Sequence, residues 1–456
     1  MTTSVTPAAA HSADWAALAQ ETAHHLSELV RINTTNPPGN EIGAARYIAG
    51  VLAREGIASE IVEPTPGRGS VVARIAGKGA KPPVLLLSHL DVVPAVAADW
   101  EHDPFGGEIV GDSLWGRGTL DCKGLSALWL ALILHAKRTG VFFPRDLVMA
   151  ATADEEAGGI HGVRWLVDNR FDLIDVPYCL NEGGGKGVRV NGKEYYSYQN
   201  SEKSVCWLRL KAKGPAGHAS VPIDDNAVVL LAEAIRALGR TRLPVHLTQT
   251  AAQYVKGLAD GQPDEVRRGL LTLLDEKRTD EVLWSLPVDP QYRYGLSAML
   301  RNTASPTVLR AGEKTNVIPS TANAEVDCRI LPGQTPETLR DEIETVLTAA
   351  LGPQGMGRLE IEFPRSSLPT ESAPETALTD DIRRSLARHA PGAKVVPYMA
   401  TGATDARYLR PKGMVVYGFW PIPSDAETHG VHGVNERISI RAIEFGLKVA
   451  WDVLMG

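Results

Sequence analysis

Three apolar runs in this chain end in groups that hold metals or move protons. Leu147-Val148-Met149-Ala150-Ala151-Thr152 leads to the neighbouring acids Glu155 and Glu156. Val84-Leu85-Leu86-Leu87 runs into Ser88-His89-Leu90-Asp91, and Tyr178-Cys179-Leu180 into Asn181-Glu182. Two adjacent carboxylates at the end of a buried strand lose hydration and repel each other unless a cation sits beside them. His and carboxylate groups at the carboxyl ends of strands are how an α/β sheet builds a metal site. A catalytic zinc takes such nitrogen and oxygen ligands and keeps one position for water. The candidate ligands are His89, Asp121, Glu156, Glu182 and a histidine near the C-terminus. Asp121 lies in Trp115-Gly116-Arg117-Gly118-Thr119-Leu120-Asp121-Cys122-Lys123-Gly124, whose glycines let backbone crowd a site. Asp91 shares a side of an extended segment with His89, where it could accept the second imidazole N–H and fix the tautomer.

Each group alone has a plainer reading. A single strand-end His is more often structural, Asp121 could cap the helix that follows, and Glu155-Glu156 could be a solvated loop. Together they must explain several strand ends of one sheet, which is a much heavier demand. Two other motifs carry little. Gly111-Asp112-Ser113-Leu114 spells a serine-esterase tetrapeptide but sits in a hairpin turn, without a strand-to-helix nucleophile turn. Glu182-Gly183-Gly184-Gly185-Lys186-Gly187 lacks the spacing of a phosphate loop and the Ser or Thr after the Lys.

The elements that must position these groups alternate. Helices are expected over 14–31, 41–54 and 123–138, with strands near 58–63, 70–75, 83–88 and 147–152. That is an α/β pattern with a mostly parallel central sheet. The texture changes near Ser201. A strand at 205–211, a helix at 226–238, strands at 307–311 and 321–330, a helix at 336–351 and a strand at 358–363 read β-α-β-β-α-β, a ferredoxin-like α+β unit. The polar, helix-prone stretch 240–298 looks like an insertion within it. Strands at 394–399 and 413–418 and a helix from about Ile438 return to the first texture. The expected organisation is a split catalytic domain, 1–201 and 367–456, around an inserted domain, 202–366.

With 456 residues, 44% hydrophobic and 22% charged, the chain suits a two- or three-domain globular enzyme. A net charge of -7 argues against nucleic acid and against an anionic membrane as partners. Cys122, Cys179, Cys206 and Cys328 are scattered, which fits a reducing compartment and excludes a Cys-rich zinc module. Met1 to Asp14 shows no basic region followed by an apolar core, and no apolar run is long enough to span a bilayer. A cytoplasmic protein is expected.

Several segments, in order, resemble the co-catalytic zinc metallopeptidases, a family that includes aminoacylases, carboxypeptidase G, carboxypeptidase S, acetylornithine deacetylase and succinyl-diaminopimelate desuccinylase. They are Ser88-His89-Leu90-Asp91-Val92-Val93-Pro94, Gly116 to Gly124, Asp154-Glu155-Glu156, Asn181-Glu182-Gly183-Gly184 and His432-Gly433-Val434-Asn435-Glu436. Gly217-His218-Ala219-Ser220, Asn316-Val317-Ile318-Pro319 and Gly402 to Arg407 are similar too, and Trp100, Pro104-Phe105 and Gly107 look most like the carboxypeptidase S branch.

The resemblance implies two divalent metal ions, zinc first, with cobalt and manganese accepting similar ligands. It implies that His89 and Glu182 hold one ion, Glu156 and His432 the other, and that Asp121 bridges them. His429 is a rival to His432, and the His-x-x-Asn-Glu spacing favours His432. The peptide bond after Asp121 would be cis. Many relatives carry a second Asp where this chain has Cys122.

Glu155 would be the general base, Asp91 would orient His89, and His218 from the inserted lid domain would stabilise the oxyanion. Arg329, with Asn316 and Gly402, would grip a substrate carboxylate, although Arg329 could equally pair with a surface acid. The implied reaction is hydrolysis of the amide next to a C-terminal amino acid, in a small peptide or an N-acyl amino acid. Alternatives are hydrolysis of carbamoyl or other non-peptide amides, and a binding protein on the same scaffold without catalysis. Dimerisation through the lid domain is common in the family and open here.

Overall fold

A computed structural model describes residues 14–427 and 430–456. The leader reading at Met1–Asp14, apart from Asp14, and the rival ligand His429 lie outside the described residues. The chain divides into two compact units. The first is drawn from the segment ending at Glu182, Ala377–Pro391 and Trp420–Gly456; the second is Gly183–Thr376 and Gly392–Phe419.

In the first unit the strands lie in the order Ser59–Val62, Ser70–Ile75, Leu147–Thr152, Val84–His89, Tyr178–Asn181. The outer two pair antiparallel. Val84–His89 runs parallel to both Leu147–Thr152 and Tyr178–Asn181. Leu147–Thr152 and Val84–His89 are buried at every position, as strands covered on both faces must be. Because these three strands are parallel, their carboxyl ends share one edge of the sheet. Helix Lys123–Thr139 is apolar on nearly every side and correspondingly buried from Lys123 to Leu134, with only its last turn exposed; it ends on Gly140 at φ +68. Helices Trp15–Arg31 and Ile440–Met455 start on Asp14 and Ser439, whose side chains accept from Ala17 N and Ala442 N.

The second unit contains a four-stranded antiparallel sheet in the order Thr303–Ala311, Thr321–Ile330, Ser204–Lys213, Leu359–Ser366. With helices Ala227–Arg240 and Pro336–Met356, this is a ferredoxin-like α+β arrangement. Cys206, Leu208, Leu210, Ala324, Val326 and Cys328 alternate inward to meet Leu231, Ala234, Leu339 and Ile343. Residues 240–298 form the helices Gln249–Ala259, Asp264–Thr272, Thr279–Leu283 and Pro290–Met299. They build a second core, in which Leu258, Leu270 and Leu283 join Tyr195, Val396 and Met399. Among the described residues no helix is long and apolar enough to cross a membrane.

Candidate metal centre

Parallel strands deliver the centre. His89 is the last residue of its strand, Glu155 and Glu156 open a short turn beyond Leu147–Thr152, and Glu182 follows Tyr178–Asn181. The segment Gly116–Cys122 leads into helix Lys123–Thr139. Gly124 is required there: a Cβ at this position would stand 2.1 Å from Thr119 O. The Asp121–Cys122 peptide is cis.

Two groups of potential ligands meet at Asp121. Ligand atoms of His89, Asp121, Cys122 and Glu182 lie within 4.8 Å of one another, as do those of Asp121, Glu156 and His432. His89 Nε2 is 2.9 Å from Asp121 Oδ1 and 3.3 Å from Glu182 Oε2. His432 Nε2 is 3.2 Å from Asp121 Oδ2 and 3.2 Å from Glu156. Each oxygen of the Asp121 carboxylate therefore faces a different histidine.

Neighbouring groups fix these side chains. Asp91 touches His89 Nδ1 through its carbonyl oxygen at 3.0 Å and its Oδ1 at 3.4 Å, which leaves Nε2 for the centre. The same carboxylate accepts the backbone N–H of Glu155 at 3.0 Å and of Glu156 at 3.0 Å. A second clamp escaped the sequence reading. Glu436, fully buried, accepts Leu120 N at 2.8 Å and Asp121 N at 3.2 Å on one oxygen, and Gly118 N at 3.0 Å and Arg117 Nη1 at 2.7 Å on the other. Arg117 also donates to the carbonyls of Gly430 and Gly433, which flank His432. One ion pair thus ties the Asp121 loop to the His432 loop. Its only sequence signal was that Arg117 and Glu436 lie inside the motifs that carry Asp121 and His432.

The charge balance suits cations. Hydrogen bonds to Asp121 and Glu156 push His432 up to about 10. Burial opposes charge on His89, yet its pKa is well above the ordinary value. Cys122 is a neutral thiol at pH 7, pushed up to about 12 by burial, so the carboxylates of Glu182, Asp121 and Asp91 supply the pull. Burial pushes Glu182 up to about 7. Burial works against ionised Asp121 too, but the two histidines hold it far below the usual carboxylate range. Protons thus sit where divalent ions would, on a nitrogen-and-oxygen donor set that fits two of them.

His218, Asn316, Arg329 and Gly402 belong to the second unit. His218 is exposed on a two-residue strand paired with Val317–Ile318, its Nδ1 2.7 Å from Ser220 Oγ. The Asn316 backbone carbonyl accepts the Ala219 N–H at 3.0 Å, so His218 and Asn316 flank one short antiparallel ladder. Arg329 is engaged by Asp327, at 2.7 Å through Nε and 3.0 Å through Nη2. Gly402 is exposed, with open space where a Cβ would be. Ser113 sits in a hairpin strand opposite Ser439, as the dismissal of an esterase site requires.

The family model for peptidase family M20/M25/M40 matches residues 85–455. The chain belongs to that family. It is accordingly a hydrolytic enzyme of a metal-dependent class. The human "N-fatty-acyl-amino acid synthase/hydrolase PM20D1" is 30% identical over 384 residues, 82% of this chain and 73% of the relative. The "probable carboxypeptidase S-like 2" of Dictyostelium discoideum is 27% identical over 376 residues, 79% of this chain and 68% of the relative. In fold, an M20 metallo-carboxypeptidase from Sulfolobus solfataricus matches at a TM-score of 0.69 and 18% identity, covering 95% of this chain and 98% of that one.

Proposed function

We propose that this M20 enzyme hydrolyses the amide bond next to a C-terminal amino acid, in small peptides or N-acyl amino acids. The observation that carries the proposal is the pair of ligand groups sharing Asp121, with Glu155 beside the ligand Glu156. The relatives' names, an acyl-amino-acid hydrolase and a carboxypeptidase-like protein, favour the same bond. In this reading 1–201 and 367–456 act as the catalytic domain and 202–366 as the lid.

His89, Asp121 and Glu182 would hold one ion and Asp121, Glu156 and His432 the other, zinc being the first choice. When bound, such ions polarise a carbonyl and acidify a water. Asp91 holds His89 in the tautomer that presents Nε2. Glu155 takes the proton of the attacking water and passes it to the leaving nitrogen. His218 donates to the oxygen that becomes anionic. Arg329 would receive the substrate carboxylate by exchanging it for Asp327, with Asn316 and Gly402 as further donors.

The test is Glu155→Gln, which keeps the shape and removes the base. Metal content near two per chain with hydrolysis lost supports the reading; near-normal kcat removes Glu155 from the mechanism. One observation favours a second reading. Arg329 already has a bidentate partner, so an amide substrate without a free carboxylate, such as a carbamoyl compound, would cost it nothing.

A further inference from the structure

Behind Glu155 and Glu156 lies a buried polar lattice that the mechanism above does not use. Asp154, between the strand and the turn, has φ +73 and ψ +14, a left-handed conformation that a side chain bearing a Cβ disfavours. Such a conformation persists only where the surroundings over-determine it. Here they do. Asp154 Oδ1 accepts Arg68 Nη2 at 2.7 Å and Asn36 Nδ2 at 3.2 Å, and its Oδ2 accepts His161 N at 3.0 Å. Its own N–H points to Glu41 Oε1 at 3.3 Å. Arg68 is gripped in turn by both oxygens of Glu41, at 2.9 and 2.7 Å, and donates to Pro38 O at 3.0 Å. Asn36 Nδ2 also reaches Asp91 Oδ2 at 2.8 Å.

The left-handed residue has a geometric consequence. A left-handed residue beside right-handed backbone turns successive N–H groups towards one anion. The N–H groups of Glu155 and Glu156 are both aimed in this way at the Asp91 carboxylate. The next two side chains are thereby committed to their places. We propose that Asp154 is a positioning residue: its left-handed backbone, locked by Arg68 and Asn36, aims Glu155 as base and Glu156 as ligand. This rests on the reading of Glu155 as general base.

Asp154→Ala and Asp154→Gly separate conformation from charge. Both remove the carboxylate, but only glycine adopts positive φ freely. Arg68→Lys keeps the charge and loses the fork that spans Glu41 and Asp154. The four proteins (wild type and three variants) are compared by kcat and KM on N-acetyl-L-methionine and glycyl-L-leucine. Their cobalt-loaded visible spectra report the Glu156 ligand without substrate.

Asp154→Ala and Arg68→Lys are expected to lower kcat about tenfold or more with KM nearly unchanged, and to alter the cobalt spectrum. Asp154→Gly should recover much of both losses. Equal damage from Ala and Gly, or wild-type kcat and spectrum in Asp154→Ala, overturns the proposal. Glu155→Gln run alongside keeps the two claims apart. Its activity decides the role of Glu155, while the spectra decide whether Asp154 sets Glu156.

Discussion

Glu436→Gln isolates the clamp on the bridging ligand. The carboxylate accepts four donors, two per oxygen, at 2.7 to 3.2 Å, and is fully buried. A glutamine has one carbonyl oxygen. If it keeps that oxygen on Arg117 and Gly118, the N–H groups of Leu120 and Asp121 face an NH2 group and lose their acceptor. A buried unsatisfied donor costs about 1–3 kcal/mol. Breaking a buried ion pair costs about 3–5 kcal/mol. The two terms describe the same group, so about 3–5 kcal/mol is expected locally rather than their sum. Hydrogen exchange of the Gly118, Leu120 and Asp121 amides should therefore accelerate by about a hundredfold or more. Because Asp121 serves both ligand groups, affinity for both ions should fall by about ten- to a hundredfold. Unchanged protection at these amides together with unchanged metal affinity would refute the reasoning.

Three further outcomes follow from the same geometry. Metal binding at pH 7 should release about two to three protons, from His89, His432 and part of Glu182, read by calorimetry in buffers of different ionisation heat; no release would contradict the charge balance above. In the metal-free protein His432 is raised from 6.5 to about 10, so its contribution to stability is complete below pH 6.5 and lost as pH rises through about 10. Denaturation across that window should show the loss without metal, and a flat profile would count against it. Arg329→Ala should depress kcat/KM for substrates with a free carboxylate, chiefly through a raised KM, and narrow the preference for them over amidated ones; an unchanged preference would remove the clamp.

Much of this was legible because the signals are local. An unbroken apolar run ending in His or Glu marks a buried parallel strand and its ligand together, as at 84–89 and 147–152. Other features depend on distant parts of the chain. Asn36, Arg68, Asp91 and Asp154 converge from four separate segments, and no spacing rule joins them. Strand Lys193–Glu202 went unread because Tyr195 and Tyr196, and then Tyr198 to Glu202, are all buried, so its pattern does not alternate. The stretch 240–298 looked like a polar insertion because three of its four helices bury only two residues each: Val266 and Leu270, Thr279 and Leu283, Leu296 and Met299. An acid partner for Arg329 was an open alternative in the sequence, and its identity as Asp327 was legible too, since residues two apart share a strand face.

The central claim is a metal-assisted hydrolase of the amide beside a free C-terminal carboxylate. Its most direct test is amine release from a panel of dipeptides and N-acyl amino acids, each as free acid and as amide, with zinc or cobalt added. Metal-dependent cleavage of the free-acid form alone is the predicted result. Cleavage of both forms, or of neither, would contradict it.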